Sequence, residues 1–399
     1  MTDEQAALLA LLSKSLFQKQ TEVPDSDPEK LFAEAKAQTV VRLAYSALDK
    51  SGLPPEVANE WRTADMAELA NCIRGIHNHR LLDDWMTEAD VRYVILKGCA
   101  SSHYYPDQYR RSMGDVDFLV SPDDLEKAGE ALLRNGLKLC CEESNTHIVY
   151  RAKKVSMEMH YNIAGTPEAE AGDIVKEYLC DIFDRSEMQS IGEGAAVMPS
   201  PFHHGLIMLL HMSHHMTGEG IGLRHLCDWA VFENRFPDEE FRLLFEDKLR
   251  KAGLWTFACV LTGIAVKYLK ADEKEWAESD GVVVDALLED IFCGGNFGIK
   301  DSSRKMQTVL ISNRGKNGVG KKTMFSQFIE SINRIIYLKW PSSKKNKLLL
   351  PVGWVYFGGR RFIRELFGKR EKTDIRQVID LSQNRIELYK KLHLFERES

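Results

Sequence analysis

Gly114-Asp115-Val116-Asp117-Phe118-Leu119-Val120 alternates acidic and apolar residues in a run rich in strand formers, which predicts a β-strand with two unlike faces. Side chains alternate along a strand, so Asp115 and Asp117 share one face while Val116 and Phe118 take the other. Neighbouring carboxylates repel unless a cation neutralises them, and hard oxygen ligands favour Mg2+ or Mn2+. A third acid on an adjacent strand would complete such a site. Glu158 is the candidate, lying in Val155-Ser156-Met157-Glu158-Met159-His160-Tyr161 with Met157 and Met159 turned toward the core.

Alone, an Asp-x-Asp pair equally describes the solvated face of an edge strand, and the upstream residues decide between the two. Ile95-Leu96-Lys97-Gly98 closes a short apolar run, and Cys99-Ala100-Ser101-Ser102 precedes a helical turn. That geometry leaves backbone N–H groups free to hold phosphate, and Lys97 and Arg111 add positive charge. Downstream, Ser121 to Gly136 has the pattern of a capped helix, and strand-like pieces follow at Leu137 to Cys141, His147 to Arg151 and Val155 to Ile163. These elements predict an α+β core over residues 88–198.

Around this core the periodicity is helical. Residues 1–87 read as an N-terminal helical region of about three helices, interrupted at Pro24, Pro28 and Pro54-Pro55. Residues 199–292 read as a second helical domain, 293–340 as a loop or insert with a helix, and 341–399 as a basic amphipathic tail. No internal repeat is visible. The site is expected in the cleft between the core and residues 200–290.

The residues quoted resemble the uncharacterised bacterial nucleotidyltransferases of the DNA polymerase β superfamily. The resemblance runs through Leu96-Lys97-Gly98, Tyr105-Pro106, Arg111, Gly114 to Val120, Gly136 and Glu158-Met159-His160. It extends more weakly through His211, His215 and Leu223 to Asp228 to Leu349-Leu350-Pro351. It implies a polymerase β-like core with a mixed sheet and helices, flanked by helical regions. It also implies transfer of a nucleoside monophosphate from an NTP, with Asp115, Asp117 and Glu158 as catalytic metal ligands. Lys97, Gly98, Ser101, Arg111, Arg224 and Asp228 are the implied nucleotide-binding residues. Two departures stand out: Cys99 replaces the usual Gly or Ser, and the interval from Gly98 to Asp115 is longer than usual. The acceptor is unidentified, with a small or carbohydrate-linked molecule as the first expectation. A protein-modifying enzyme of toxin–antitoxin type, or a non-catalytic interaction protein retaining the fold, are the alternatives.

Composition bounds these readings. The 399 residues carry a net charge of −6, which gives no global attraction to nucleic acid, and no interleaved basic and aromatic stripe appears in either core. Eight cysteines without a CxxC pair fit reduced thiols. Neither a signal peptide nor a spanning segment is recognisable, so a cytoplasmic location is expected.

Three other motifs compete for a role. His211 and His215 share a helix face at zinc-chelating spacing, but no third ligand is evident; His211, Arg224 and Asp228 are expected to line the cleft or to join two helices in a buried network. Gly315 to Thr323 nearly matches a P-loop, yet Lys322 stands where a hydroxyl residue should, which favours a basic loop. The stretch from Lys344 to Arg370 mixes basic and large apolar residues; it would either pack on the helical domain or touch an anionic membrane surface.

Overall fold

The computed structural model describes residues 1–141, 146–153, 155–167, 170–301 and 375–397, with 303, 304, 307, 336, 340 and 350–353. The loop Gly315 to Thr323 and most of the basic tail lie outside the described residues. The chain divides into two compact units. One comprises Met1–Met216, Gly220–Lys300 and Lys390–Ser399; the other comprises Thr217–Glu219 and Asp301–Tyr389. The first holds the sheet and everything described below.

Four helices precede the sheet: α1 (Asp3–Phe17), α2 (Pro28–Ala37), α3 (Val41–Ala47) and α4 (Pro55–Glu88). Pro28 and Pro55 start helices, because a residue in the first turn needs no N–H partner, whereas Pro24 lies in the connection before α2. Pro28 opens α2 behind an Asp27 cap that accepts from the N–H groups of Glu29 and Lys30, and Pro55 opens α4. Four helices stand where about three are expected, since the seven-residue α3 is too short to register as a periodic run.

The sheet comprises β1 (Tyr93–Ile95), β2 (Val116–Val120), β3 (Lys138–Cys141), β4 (His147–Ala152) and β5 (Val155–His160), in the spatial order β1-β2-β5-β4-β3. Only the β2–β5 pair is parallel; the other pairs are antiparallel. The short helix α5 (Gly98–Ser102) follows β1, and α6 (Leu125–Arg134) separates β2 from β3. Ser121 Oγ accepts from Asp123 N and so caps the 3-10 turn Pro122–Asp124 ahead of α6, while α6 itself begins without a side-chain cap. A hairpin of β6 (Glu187–Ile191) and β7 (Gly194–Met198) forms a second small sheet.

One face of the large sheet is closed and apolar. Val116, Phe118, Met157 and Met159 are fully or almost fully buried, in a cluster with Leu82 and Met86 of α4 and Ala131 and Leu132 of α6. The other face carries a smaller apolar cluster of Val94, Leu96 and Leu119 with Ile182 and Ile207. The acids stand beside that cluster on this second face.

The helical region begins with α8 (Pro201–Thr217) and α9 (Leu223–Glu233), after α7 (Glu170–Leu179). Gly205 sets the approach of α8 to its neighbours: a Cβ there would lie 2.7 Å from the Phe245 ring and 2.9 Å from that of Phe232 on α9. No helix among the described residues is long and apolar enough to cross a membrane. Because the rings around Gly205 are themselves buried and cannot swing away, Gly205→Ala is expected to lower stability by about 1–3 kcal/mol. A urea unfolding curve reads this as a lower midpoint at unchanged slope.

Candidate active site

The parallel register puts Asp117 directly opposite Glu158, and Leu119 opposite His160. Residues paired across neighbouring strands project to the same face, so Asp117, Glu158 and His160 emerge together while Phe118, Met157 and Met159 point into the closed layer. β4 adds His147, which pairs with His160. Asp115 lies just before β2 on the same alternation.

Hydrogen bonds order this group. Asp117 Oδ1 accepts from Lys97 Nζ at 2.9 Å and lies 2.9 Å from His160 Nε2. His160 Nε2 is also 3.7 Å from Glu158 Oε2, and His147 Nε2 is 4.0 Å from that same oxygen. Burial works to raise the Asp117 carboxyl, but Lys97 and His160 outweigh it and hold the group well below the usual carboxylate range. Burial likewise opposes a charged His160, and its bonds to Asp117 and Glu158 overcome that and raise it. At Asp115 burial first, then repulsion from Glu158 and Asp117, push the carboxyl up, against the weaker pull of Ser156 and Arg151. This part of the site therefore carries more negative charge than its own cations relieve.

That excess is what a metal site looks like before its ion is counted. Asp115, Asp117 and Glu158 supply hard oxygen donors suited to Mg2+ or Mn2+. In addition, one ligand atom each from His147, Glu158 and His160 lie within 4.8 Å of one another. The two histidines bring imidazole donors within reach of the same glutamate, a mixed set that suits Mn2+ and later transition metals as well.

Lys97 reaches Asp117 from a backbone with φ 52°, the left-handed region that a non-glycine residue seldom occupies. Gly98 starts α5 immediately after it. Ser101 is buried, and its hydroxyl faces the sulfur of Met208 on α8 at 3.8 Å. Cys99, the departure from the family pattern, belongs to the apolar cluster: its Sγ is 3.6 Å from Met113 sulfur, and burial pushes its thiol up to about 12. The substitution thus lies in the core.

The long interval from Gly98 to Asp115 carries Tyr105 and Arg111, and both meet Asp228 of α9. Arg111 donates from Nε and Nη2 to the two Asp228 oxygens at 2.9 and 2.7 Å, and Tyr105 Oη donates to Oδ1 at 2.7 Å. All three residues are buried. Burial opposes the Arg111 charge, but Asp228 more than compensates and raises it. The bidentate pair joins the loop after α5 to the helical region and leaves little of either group for a ligand.

All nine residues singled out in the sequence border one cavity of about 320 Å³, among them Asp115, Glu158 and Arg224. Its helical wall adds His211, His215 and His225, and Phe297 closes against them. Sequence reasoning missed His147, His160 and His225 as members of the site. His160 had a readable signal, because it stands two residues after Glu158 on the same strand face. His225 sits beside Arg224 with no spacing signal of its own.

A mixed sheet with this acidic pair at its parallel step, a lysine from the β1–α5 turn and a helical wall opposite defines a nucleotidyltransferase core. A family model described as uncharacterised nucleotidyltransferase matches residues 24–270, and the chain belongs to that family. Comparison with curated proteins returns no match.

The Arg111–Asp228 geometry carries a stability prediction. Removing one partner of a buried pair strands the other charge, so Arg111→Met is expected to lower stability by about 3–5 kcal/mol. The double variant Arg111→Met, Asp228→Leu should recover much of that loss, and chemical denaturation of the single and double variants measures the difference.

Proposed function

We propose that this chain transfers a nucleoside monophosphate from an NTP to an acceptor hydroxyl or phosphate, in a reaction that depends on Mg2+ or Mn2+. The observation that carries the reading is the direct opposition of Asp117 and Glu158 across β2 and β5, with Asp115 beside them and Lys97 bonded to Asp117. Membership of a nucleotidyltransferase family implies the NTP. A cavity of about 320 Å³ is of small-ligand size, which supports a small or carbohydrate-linked acceptor.

Asp115, Asp117 and Glu158 would hold the metal, which when bound supplies positive charge to the phosphate oxygens of an in-line displacement. The acceptor oxygen forms its bond to the α-phosphorus as the bond from that phosphorus to the bridging oxygen breaks, and pyrophosphate departs. Glu158 takes the acceptor proton. Lys97 lies close enough to Asp117 to serve both as its partner and as a counter-charge for the leaving phosphates, beside the backbone of Gly98 and the hydroxyl of Ser101. His160 is a positioning residue: its 2.9 Å contact with Asp117 fixes which carboxylate oxygen faces the cavity. Arg111 and Asp228 act on the nucleotide through the loop they hold, and Arg224 reaches the cavity directly.

The test combines calorimetry with each of the four NTPs in Mg2+ or Mn2+ and an assay of pyrophosphate release from labelled NTP in the presence of candidate acceptors. Metal-dependent NTP binding is expected, and Asp117→Ala and Glu158→Gln should each lower transfer by ~100-fold or more. Full transfer by Asp117→Ala protein would refute the assignment.

A further inference from the structure

The helical wall of the cavity gathers cationic and imidazole groups without a free acid. Asp228 reaches it, but Arg111 and Tyr105 engage both its oxygens. Among the described residues, three nitrogens of this wall's side chains are buried without a hydrogen-bond partner: Arg224 Nε, His211 Nδ1 and His225 Nε2. All three residues border the same cavity.

The surroundings fix the chemistry of the His225 and Arg224 atoms. His225 is 3% exposed, and its Nδ1 accepts from Gly222 N at 3.3 Å. A neutral imidazole that accepts at Nδ1 carries its proton on Nε2, so the unpartnered nitrogen is a donor. Burial holds His225 neutral, far below its ordinary value, and Arg224 beside it adds to the effect. Burial also pulls Arg224 down, to about 10, which leaves it cationic at neutral pH. Its guanidinium lies 5.7 Å from the Phe297 ring, a ring that also stands 4.7 Å from His215 and 5.4 Å from His225. Arg224 and His225 occupy the first turn of the eleven-residue α9, where the helix dipole is positive. His211, held neutral by burial and then by the positive field of Lys97, completes the group from α8.

A buried donor left unmatched costs stability, and a buried unpaired cation costs more. Arg224 brings its guanidinium to the cavity wall with no carboxylate bonded to it among the described residues, and such a cation is a ready partner for an anion in the cavity. We propose that Arg224, His225 and His211 form a built anion subsite that takes a phosphate or carboxylate group of a substrate. The assignment of that group rests on the nucleotidyl-transfer reading: it belongs either to the triphosphate of the NTP or to an anionic acceptor. The existence of the subsite does not rest on it.

The test is calorimetric titration of the full chain with inorganic phosphate and with pyrophosphate, without NTP or metal. Saturable binding is expected, weakened ~10-fold or more in Arg224→Gln and partly restored in Arg224→Lys. The ligand-free Arg224→Gln protein should also melt at a higher temperature than the parent, an effect that a structural arginine would reverse. If Arg224→Gln fails to fold, Arg224→Lys and His211→Gln carry the same titration. Absence of phosphate and pyrophosphate binding, or affinity unchanged by these substitutions, would overturn the subsite. Asp117→Ala separates it from the reaction, because that variant should retain phosphate binding while losing transfer. Competition between pyrophosphate and a non-hydrolysable NTP assigns the subsite to the triphosphate, and simultaneous binding assigns it to the acceptor; either result supports it.

Discussion

The parallel pairing of β2 with β5 is the constraint on which the rest of the site depends. It places Asp117 and Glu158 at the same height on the same face. A slip of one residue would instead turn one acid into the closed apolar layer and a methionine toward the cavity. What prevents that slip is packing: Phe118, Met157 and Met159 have no exposed surface, and α4 and α6 close over them. The apolar side of the sheet therefore fixes the geometry of the acidic side. The chain reaches β5 by way of α6, β3 and β4, so the same route that makes a parallel step possible also lays β4 against β5 and brings His147 over Glu158 and His160.

Charge is distributed unevenly around this frame, and the imbalance separates three kinds of group. Arg111 and Asp228 neutralise each other in bidentate geometry with Tyr105 as an additional donor, and they hold the long loop after α5 to α9. Lys97 and His160 partly neutralise Asp117 but leave Asp115 raised by its acidic neighbours. Arg224 Nε has no hydrogen-bond partner among the described residues. A fully satisfied pair rigidifies, whereas a partly satisfied cluster keeps its affinity for something outside the chain. By that criterion the acids on the strands and Arg224 on α9 are the parts of the cavity that the proposed reading assigns to ligands.

How much of this was legible follows from the range of each signal. The Asp115 and Asp117 alternation is local, and so is Glu158 between two core methionines; the strand period alone places them. Cys99 looked like a departure within the phosphate turn, and only its tertiary surroundings show that it faces the core beside Met113. The tie between Arg111 and Asp228 spans 117 residues, a separation at which no periodicity operates. His147 joins the site through the register of an antiparallel pair, which the sequence leaves open. The β6–β7 hairpin was silent for another reason: Gly194-Ala195-Ala196 has little strand propensity, and its pairing is decided by packing against α4 rather than by its own residues.

The two walls of the cavity also differ in what they can afford to vary. The strand wall is fixed by register on both neighbours of Glu158, so a displacement of any one acid would require the sheet to re-pair. The helical wall is held by side-chain packing, with Gly205 admitting Phe232 and Phe245 at α8 and the Arg111 tie at α9. Side chains at the cavity positions of α8 and α9 can change without altering a strand register. On the proposed reading, the reaction type resides in the sheet, and selectivity for the group that enters beside it resides in Arg224, His211 and His225.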